Sequence, residues 1–351
     1  MRITAVLLLA LTSCAATVEV EDDGDVSPAD EPPACEALTL VGDGDGAYDV
    51  ALDETRAFWT DGSNVFAASL ATGEAERRVE NGGWIRYLAI DDSYVYAVDD
   101  EPEGVDGGVL FRFPKAGGTR EDLGAGIAHA AGLEVAGGEV FVLDMGRGAE
   151  GLDEPEPRDA RIWRWSPATG LAAVAERLEG YVGNLMVDGS DIILRSARLE
   201  PARTELVVVS RASGAIETRP FEGDVMALSG DSIVSADSGP NGWSVSSYER
   251  ATKGGSLIGT LKAPEGMLAL VTAGDDAYFA VNTVVYGYED YEAAPQVYRM
   301  DLGTGAVVQF PYAEVIGDLT ARAANDVHVA FGRTHVESSD PFDADVILFC
   351  Q

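Results

Sequence analysis

The chain opens on one apolar block, Ile3 to Leu11, interrupted only by Thr4. A block of that length reaches about 14 Å as a helix against a hydrocarbon core of about 30 Å, too short to span it. Ala15 to Pro33 then carries seven acidic residues and three prolines with almost no large apolar side chain, too little surface to bury for folding. From Cys35 onward the pattern changes to short alternating runs. Val50 to Asp61 aligns without gaps against Leu88 to Asp99, Leu133 to Asp144, Leu185 to Ser196, Met226 to Asp237 and Val271 to Asn282. Each copy starts with an alternating apolar pair such as Leu88/Ile90 or Leu133/Val135. It turns through Asp, Gly or Ser and enters a β-rich run such as Val95-Tyr96-Ala97-Val98. Alternation with period two on both sides of a polar turn predicts strand, tight turn, strand.

A second element recurs at variable distance: Leu110 to Gly118, Ile162 to Gly170 and Val297 to Gly305, with Arg112, Arg164 and Arg299 each six residues before the last glycine. Glycine there suits a hairpin position needing positive φ, so Thr119 to Leu123, Leu171 to Leu178 and Ala306 to Phe310 are the expected fourth strands. The recurrent arginines are expected to lay their stems between sheets. Copies starting at 50, 88, 133, 185, 226 and 271 match the roughly 40–50 residues of a four-stranded propeller blade. The expected fold is an all-β β-propeller of about seven blades. Through turns such as Ala71-Thr72-Gly73, Ala168-Thr169-Gly170 and Gly303-Thr304-Gly305, the array resembles the quinoprotein-like and beta-propeller repeat families. A last unit, Leu319 to Cys350, holds Val327 to Phe331 and Asp345 to Phe349 as second and third strands, and no fourth follows. Cys35 to Val41 can supply it and close the ring by pairing the chain's two ends. A third strand's end lies opposite the start of its antiparallel fourth, which places Cys35 beside Cys350 and predicts a disulfide in an oxidising compartment.

Met1-Arg2, the apolar block and Leu11-Thr12-Ser13-Cys14 follow the order of an export signal: positive, apolar, small residues before a processing site. The ending resembles the bacterial lipoprotein signal. That resemblance implies cleavage before Cys14, lipidation of its thiol and stable attachment by several acyl chains. Ala15 in place of Asp after the cysteine favours, by the same resemblance, the outer membrane. The expected organisation is residues 1–13 signal peptide, 14–34 lipidated acidic tether and 35–351 propeller.

Sixty acidic against 24 basic residues give a net charge of −36, which repels phosphate backbones and argues against a nucleic-acid partner. Lysine occurs at only Lys115, Lys253 and Lys262. His129, His328 and His335 have no zinc-like spacing, and no Gly-x-Ser-x-Gly elbow occurs, so no catalytic residue is assigned. Second-to-third connections vary most in length. In a propeller they share a face with the fourth-to-first loops, and variable loops on a rigid scaffold are where binding usually sits. Those loops are acidic over Asp99 to Asp106 and Asp144 to Asp159. The candidate binding-face residues are Asp99, Asp144, Asp237, Asn282, Tyr288 and Tyr291, suited to a protein or cationic ligand. Asp43, Asp45 and Asp49 resemble the start of a calcium loop, or form a plain acidic turn. No cofactor is required by this pattern, and Ca²⁺ is the one it admits. The expected role is a lipid-anchored envelope scaffold for binding, with a calcium-dependent, lactonase-type propeller hydrolase as the alternative.

Overall fold

The computed structural model describes residues 39–41, 47–80, 83–100, 107–146, 160–199, 202–239, 242–249, 255–261, 266–283, 296–310, 318–324, 328–334 and 345–350. Strand β1 (Thr39–Val41) comes first. One antiparallel sheet then takes β2 (Asp49–Leu52), β3 (Arg56–Thr60), β4 (Asn64–Ser69) and β5 (Ala75–Glu80). The next takes β6 (Ile85–Ile90), β7 (Tyr94–Asp99), β8 (Gly108–Pro114) and β9 (Glu121–Ile127). β10 (Ala130–Ala136), β11 (Glu139–Asp144), β12 (Ala160–Ser166) and β13 (Gly170–Leu178) make a third. A fourth holds β14 (Tyr181–Asp188), β15 (Asp191–Leu199), β16 (Ala202–Ser210) and β17 (Ile216–Pro220). β18 (Val225–Ser229), β19 (Ser232–Gly239), β20 (Gly242–Glu249) and β21 (Gly255–Leu261) follow. So do β22 (Gly266–Ala273), β23 (Asp276–Thr283), β24 (Gln296–Asp301) and β25 (Val307–Phe310).

Among the described residues, then, six four-stranded blades are each built from consecutive strands. The remaining strands, β26 (Asp318–Ala324), β27 (His328–Thr334) and β28 (Asp345–Cys350), form a sheet completed by β1, in the order β1-β28-β27-β26. Thr39 pairs with Ile347 and Val41 with Asp345, so the first described strand is stitched to the last. The inner strands β2, β6, β10, β14, β18, β22 and β26 touch in that order, and β26 returns to β2. The chain is an all-β propeller.

The turns show why these strands form where they do. Asp91 accepts the Ser93 and Tyr94 N–H groups and the Tyr96 hydroxyl, each at 2.7 Å, and Asp53 accepts those of Thr55 and Arg56. A short carboxylate capping its own turn reverses the chain within a few residues. The third-to-fourth turns end on glycine for two reasons. Gly214 and Gly305 hold φ of 70° and 72°, and a Cβ on either would strike the Val174 or Ile258 carbonyl oxygen of the preceding blade. The fourth strand expected at Thr119 begins instead at Glu121, because Gly117 and Gly118 both take positive φ and lengthen that turn.

Among the described residues, apolar layers lie between neighbouring blades. On β11, Val140 and Val142 pack with Tyr96, Leu110 and Trp165 toward the preceding blade, whereas Phe141 and Leu143 pack with Ile162, Leu185 and Val207 toward the next. Alternate side chains point to opposite faces, so a strand buried on both must be apolar throughout. The recurrent arginines differ in their contacts, and Arg299 stays within its own blade. Arg112 lies 4.1 Å over the Tyr94 ring and 5.2 Å over Trp165 while bonding Glu121, Arg164 donates to the Arg211 carbonyl, and Arg299 pairs with Asp276 at 2.8 Å.

Arg177 is an exception to regular backbone. Ala160 pairs with Leu178 but Ile162 with Ala175, so β13 bulges there, and Arg177 takes φ 60°. A side chain in the left-handed region costs about 1–2 kcal/mol. Arg177→Gly is therefore expected to stabilise the protein by about 1 kcal/mol in urea unfolding, after the entropic penalty of glycine is subtracted.

Candidate functional site

Second strands run toward the face that carries the variable loops, so their last residues collect there. Asp99, Asp144 and Asp237 lie at or near the ends of β7, β11 and β19, and Asn282 near the end of β23. Their environments differ sharply. Asp144 has no exposure. Its Oδ1 accepts the N–H groups of His129 and Gly146, both at 2.9 Å, and its Oδ2 those of Ala128 at 3.2 Å and the Trp163 indole at 2.9 Å. Arg161 stands 4.0 Å away. Asp144 thus clamps the loop entering its blade to the loop leaving β11, and no oxygen is left for a partner in solution. Asp99 is 1% exposed; its Oδ2 meets Arg120 at 3.1 Å, while Oδ1 has no hydrogen-bond partner. Gly83 presses on that oxygen so closely that any side chain there would collide with it.

Next to Asp99, Asp100 joins two blades. Its N–H donates to the Trp84 carbonyl at 2.9 Å, and its Oδ1 accepts from Ala130 N–H at 3.2 Å. Oδ2 is buried without a partner. Burial pushes the carboxyl from 3.8 up to about 6, with the Asp144 charge adding and the Ala130 N–H, His129 and Arg86 opposing. Arg86 lies 5.2 Å over the Trp84 ring, and Tyr48 meets that ring edge-on at 5.1 Å. Arg86 Nε and Trp84 Nε1 are buried donors without acceptors. Burial, Asp49 and Asp100 raise Tyr87 to about 12, with Arg86 opposing. This corner therefore holds two unmet donors and two unmet acceptors, an arrangement suited to a polar group that enters it.

Because the folded state holds Asp100 protonated more tightly than the unfolded chain, the stability it supplies is complete below about pH 4 and is lost as pH rises through about 6. The upper bound is about 3 kcal/mol. Asp100→Asn should remove this slope and leave the variant more stable than the parent at pH 7.5, as read from urea midpoints at a series of pH values.

The open acidic patch lies on another blade. Glu222 and Asp237 are exposed, with Asp224 between them. Asp224 Oδ2 accepts the Ser238 N–H at 3.1 Å and hydroxyl at 2.7 Å, and its Oδ1 is 3.6 Å from Arg195. Partial burial, then Asp224 and Glu222, raise the Asp237 pKa, while Arg195 lowers it. Three carboxylates here face one guanidinium.

Other candidates fall differently. Asp49 accepts from Val50 N–H at 2.9 Å and, across the blade boundary, from Leu88 N–H at 2.7 Å. Asp43, Asp45, Cys14, Cys35, Tyr288 and Tyr291 lie outside the described residues, as do 101–106 and 147–159 of the acidic loops. Among the described residues no three His, Cys, Asp or Glu side chains gather as a metal site. Sequence reasoning did not single out Asp100, Arg86 or Trp84. The Asp99-Asp100 doublet at the end of a β-rich run was the available signal.

No protein-family model matches the chain, and no curated protein matches it. Solved structures do. The WD40 beta propeller domain of Doa1 superposes with a TM-score of 0.60 at 12% identity, covering 88% of this chain and 95% of that one. The GH74 xyloglucanase from Xanthomonas campestris gives 0.58 at 14% identity, over 84% of this chain and 51% of the other. Kuenenia stuttgartiensis hydrazine synthase gives 0.53 at 13% identity, over 75% and 78%. At such identities the likeness establishes the β-propeller fold and nothing finer.

Proposed function

We propose that this chain is a lipid-anchored β-propeller of the bacterial envelope that works as a binding scaffold, engaging a cationic partner through its loop face. The observation that carries this reading is the patch of Glu222, Asp224 and Asp237, exposed or half-exposed and under-neutralised, on the face where loop length varies. Complementary charge steers association and penalises wrong partners. The resemblance of residues 1–14 to a lipoprotein signal supports the tether at Cys14, with residues 14–34 as its acidic linker and the outer membrane as its site. The sheet β1-β28-β27-β26 is read as the seventh blade, the number the repeats predict, with Cys35–Cys350 as its covalent lock.

The test is capture from envelope extracts by the parent and by the triple variant Glu222→Gln, Asp224→Asn, Asp237→Asn. A protein held by the parent and released by the variant supports the reading, and equal capture removes this patch from it. Cys14→Ser should move the chain from the membrane to the soluble fraction. A rise in melting temperature with Ca²⁺ that EDTA reverses, together with lactone hydrolysis, would replace the scaffold reading with the calcium-dependent hydrolase.

A further inference from the structure

We propose that a cavity at the rim between the β10–β13 and β14–β17 blades, lined in part by Arg177, binds a small organic monocarboxylate with a short apolar body. The site is separate from the loop-face acidic patch, and its unpaired group is a cation.

The first observation is the state of Arg177. Among arginines whose side chains are described, the others make at least one hydrogen bond, ion pair or ring contact, while Arg177 makes none. A free guanidinium in a protein of net charge −36, rich in carboxylates, calls for a reason. The second is that the chain spends backbone strain to present it: the bulge in β13 and the φ of 60° both fall on this residue. Bulges re-aim side chains beside functional sites, and left-handed backbone on a residue other than glycine clusters there.

The third observation is the space in front of it. The cavity measures about 170 Å³, room for a handful of waters at about 30 Å³ each. One wall is apolar, formed by Leu178, Val207 and Ile216, and Ile216 is 45% exposed as it stands. Thr218 on the same outer strand adds a hydroxyl to the lining.

Local charge selects the ligand's valence. Arg198 pairs with both Glu179 and Glu205, and Arg203 also reaches Glu205 at 3.4 Å. Both glutamates of the lining are thus already engaged by other arginines, which leaves the Arg177 guanidinium without an anion. A guanidinium fork matches the two oxygens of a carboxylate, and one negative charge matches the one unpaired guanidinium where a phosphate dianion would face the glutamates. The apolar wall then takes the hydrocarbon part of the ligand.

The test is calorimetric titration of the full chain with 4-methylpentanoate, its neutral amide 4-methylpentanamide, and inorganic phosphate. Asparagine tolerates left-handed backbone, so Arg177→Asn deletes the guanidinium while keeping the bulge, and an unchanged unfolding curve checks that the fold persists. The expected result is saturable binding of the acid, at least tenfold weaker for the amide, for phosphate and for the Arg177→Asn variant. Absence of saturable binding of the acid, equal binding by acid and amide, phosphate binding as tight as the acid, or an unaffected variant would each overturn the proposal.

Discussion

Asp144→Ala is expected to destabilise the propeller by about 3–5 kcal/mol, a large share of any domain's stability. The carboxylate is fully buried and accepts from three backbone N–H groups and one indole N–H, with Arg161 nearby. Removing it leaves those donors without acceptors in a dry site, and unsatisfied groups cost more than an average hydrogen bond contributes. Asp144→Asn keeps the volume and one acceptor oxygen, so it should lose less, about 1.5–3 kcal/mol. Urea unfolding with unchanged slope reads both values. A loss under 1 kcal/mol for the alanine variant would mean that these contacts do not hold the loop.

Reducing the proposed Cys35–Cys350 bond is expected to cost on the order of 5 kcal/mol, because it would close nearly the whole domain into one loop. The described pairing of the two strands reaches Thr39↔Ile347, four residues along the chain from Cys35 and three from Cys350. A bond there would lock the sheet of β1 and β26–β28, the one sheet among the described residues whose strands are not consecutive. Oxidised protein should therefore unfold at clearly higher urea than the Cys35→Ser, Cys350→Ser double variant. If both thiols alkylate freely in mature protein without reductant, the bond does not form.

Much of the architecture was legible in the amino-acid order, because its signals are local. Alternating runs such as Val95 to Val98 became strands, turns led by aspartate or closed by glycine became hairpins, and the repeat spacing announced blades. Even the closing sheet could be anticipated, since the last unit lacked an outer strand and Thr39 to Val41 lay unassigned before the first. The candidate site was legible only as a face. Asp99, Asp144 and Asp237 hold equivalent places in the repeat, yet two are buried and one is exposed. What separates them is the neighbouring chain: Gly83 and Arg120 around Asp99, the 128–129 loop and Trp163 around Asp144, and Glu222, Asp224 and Arg195 near Asp237. The displaced titration of Asp100 and the free guanidinium of Arg177 belong to the same class. Strand period and turn chemistry depend on residues a few positions apart, so the sequence by itself determined the blades and their order. Burial, charge pairing and the cavity lining depend on residues brought together from different blades, so only the tertiary structure decided which carboxylates are exposed and which arginine is left unpaired.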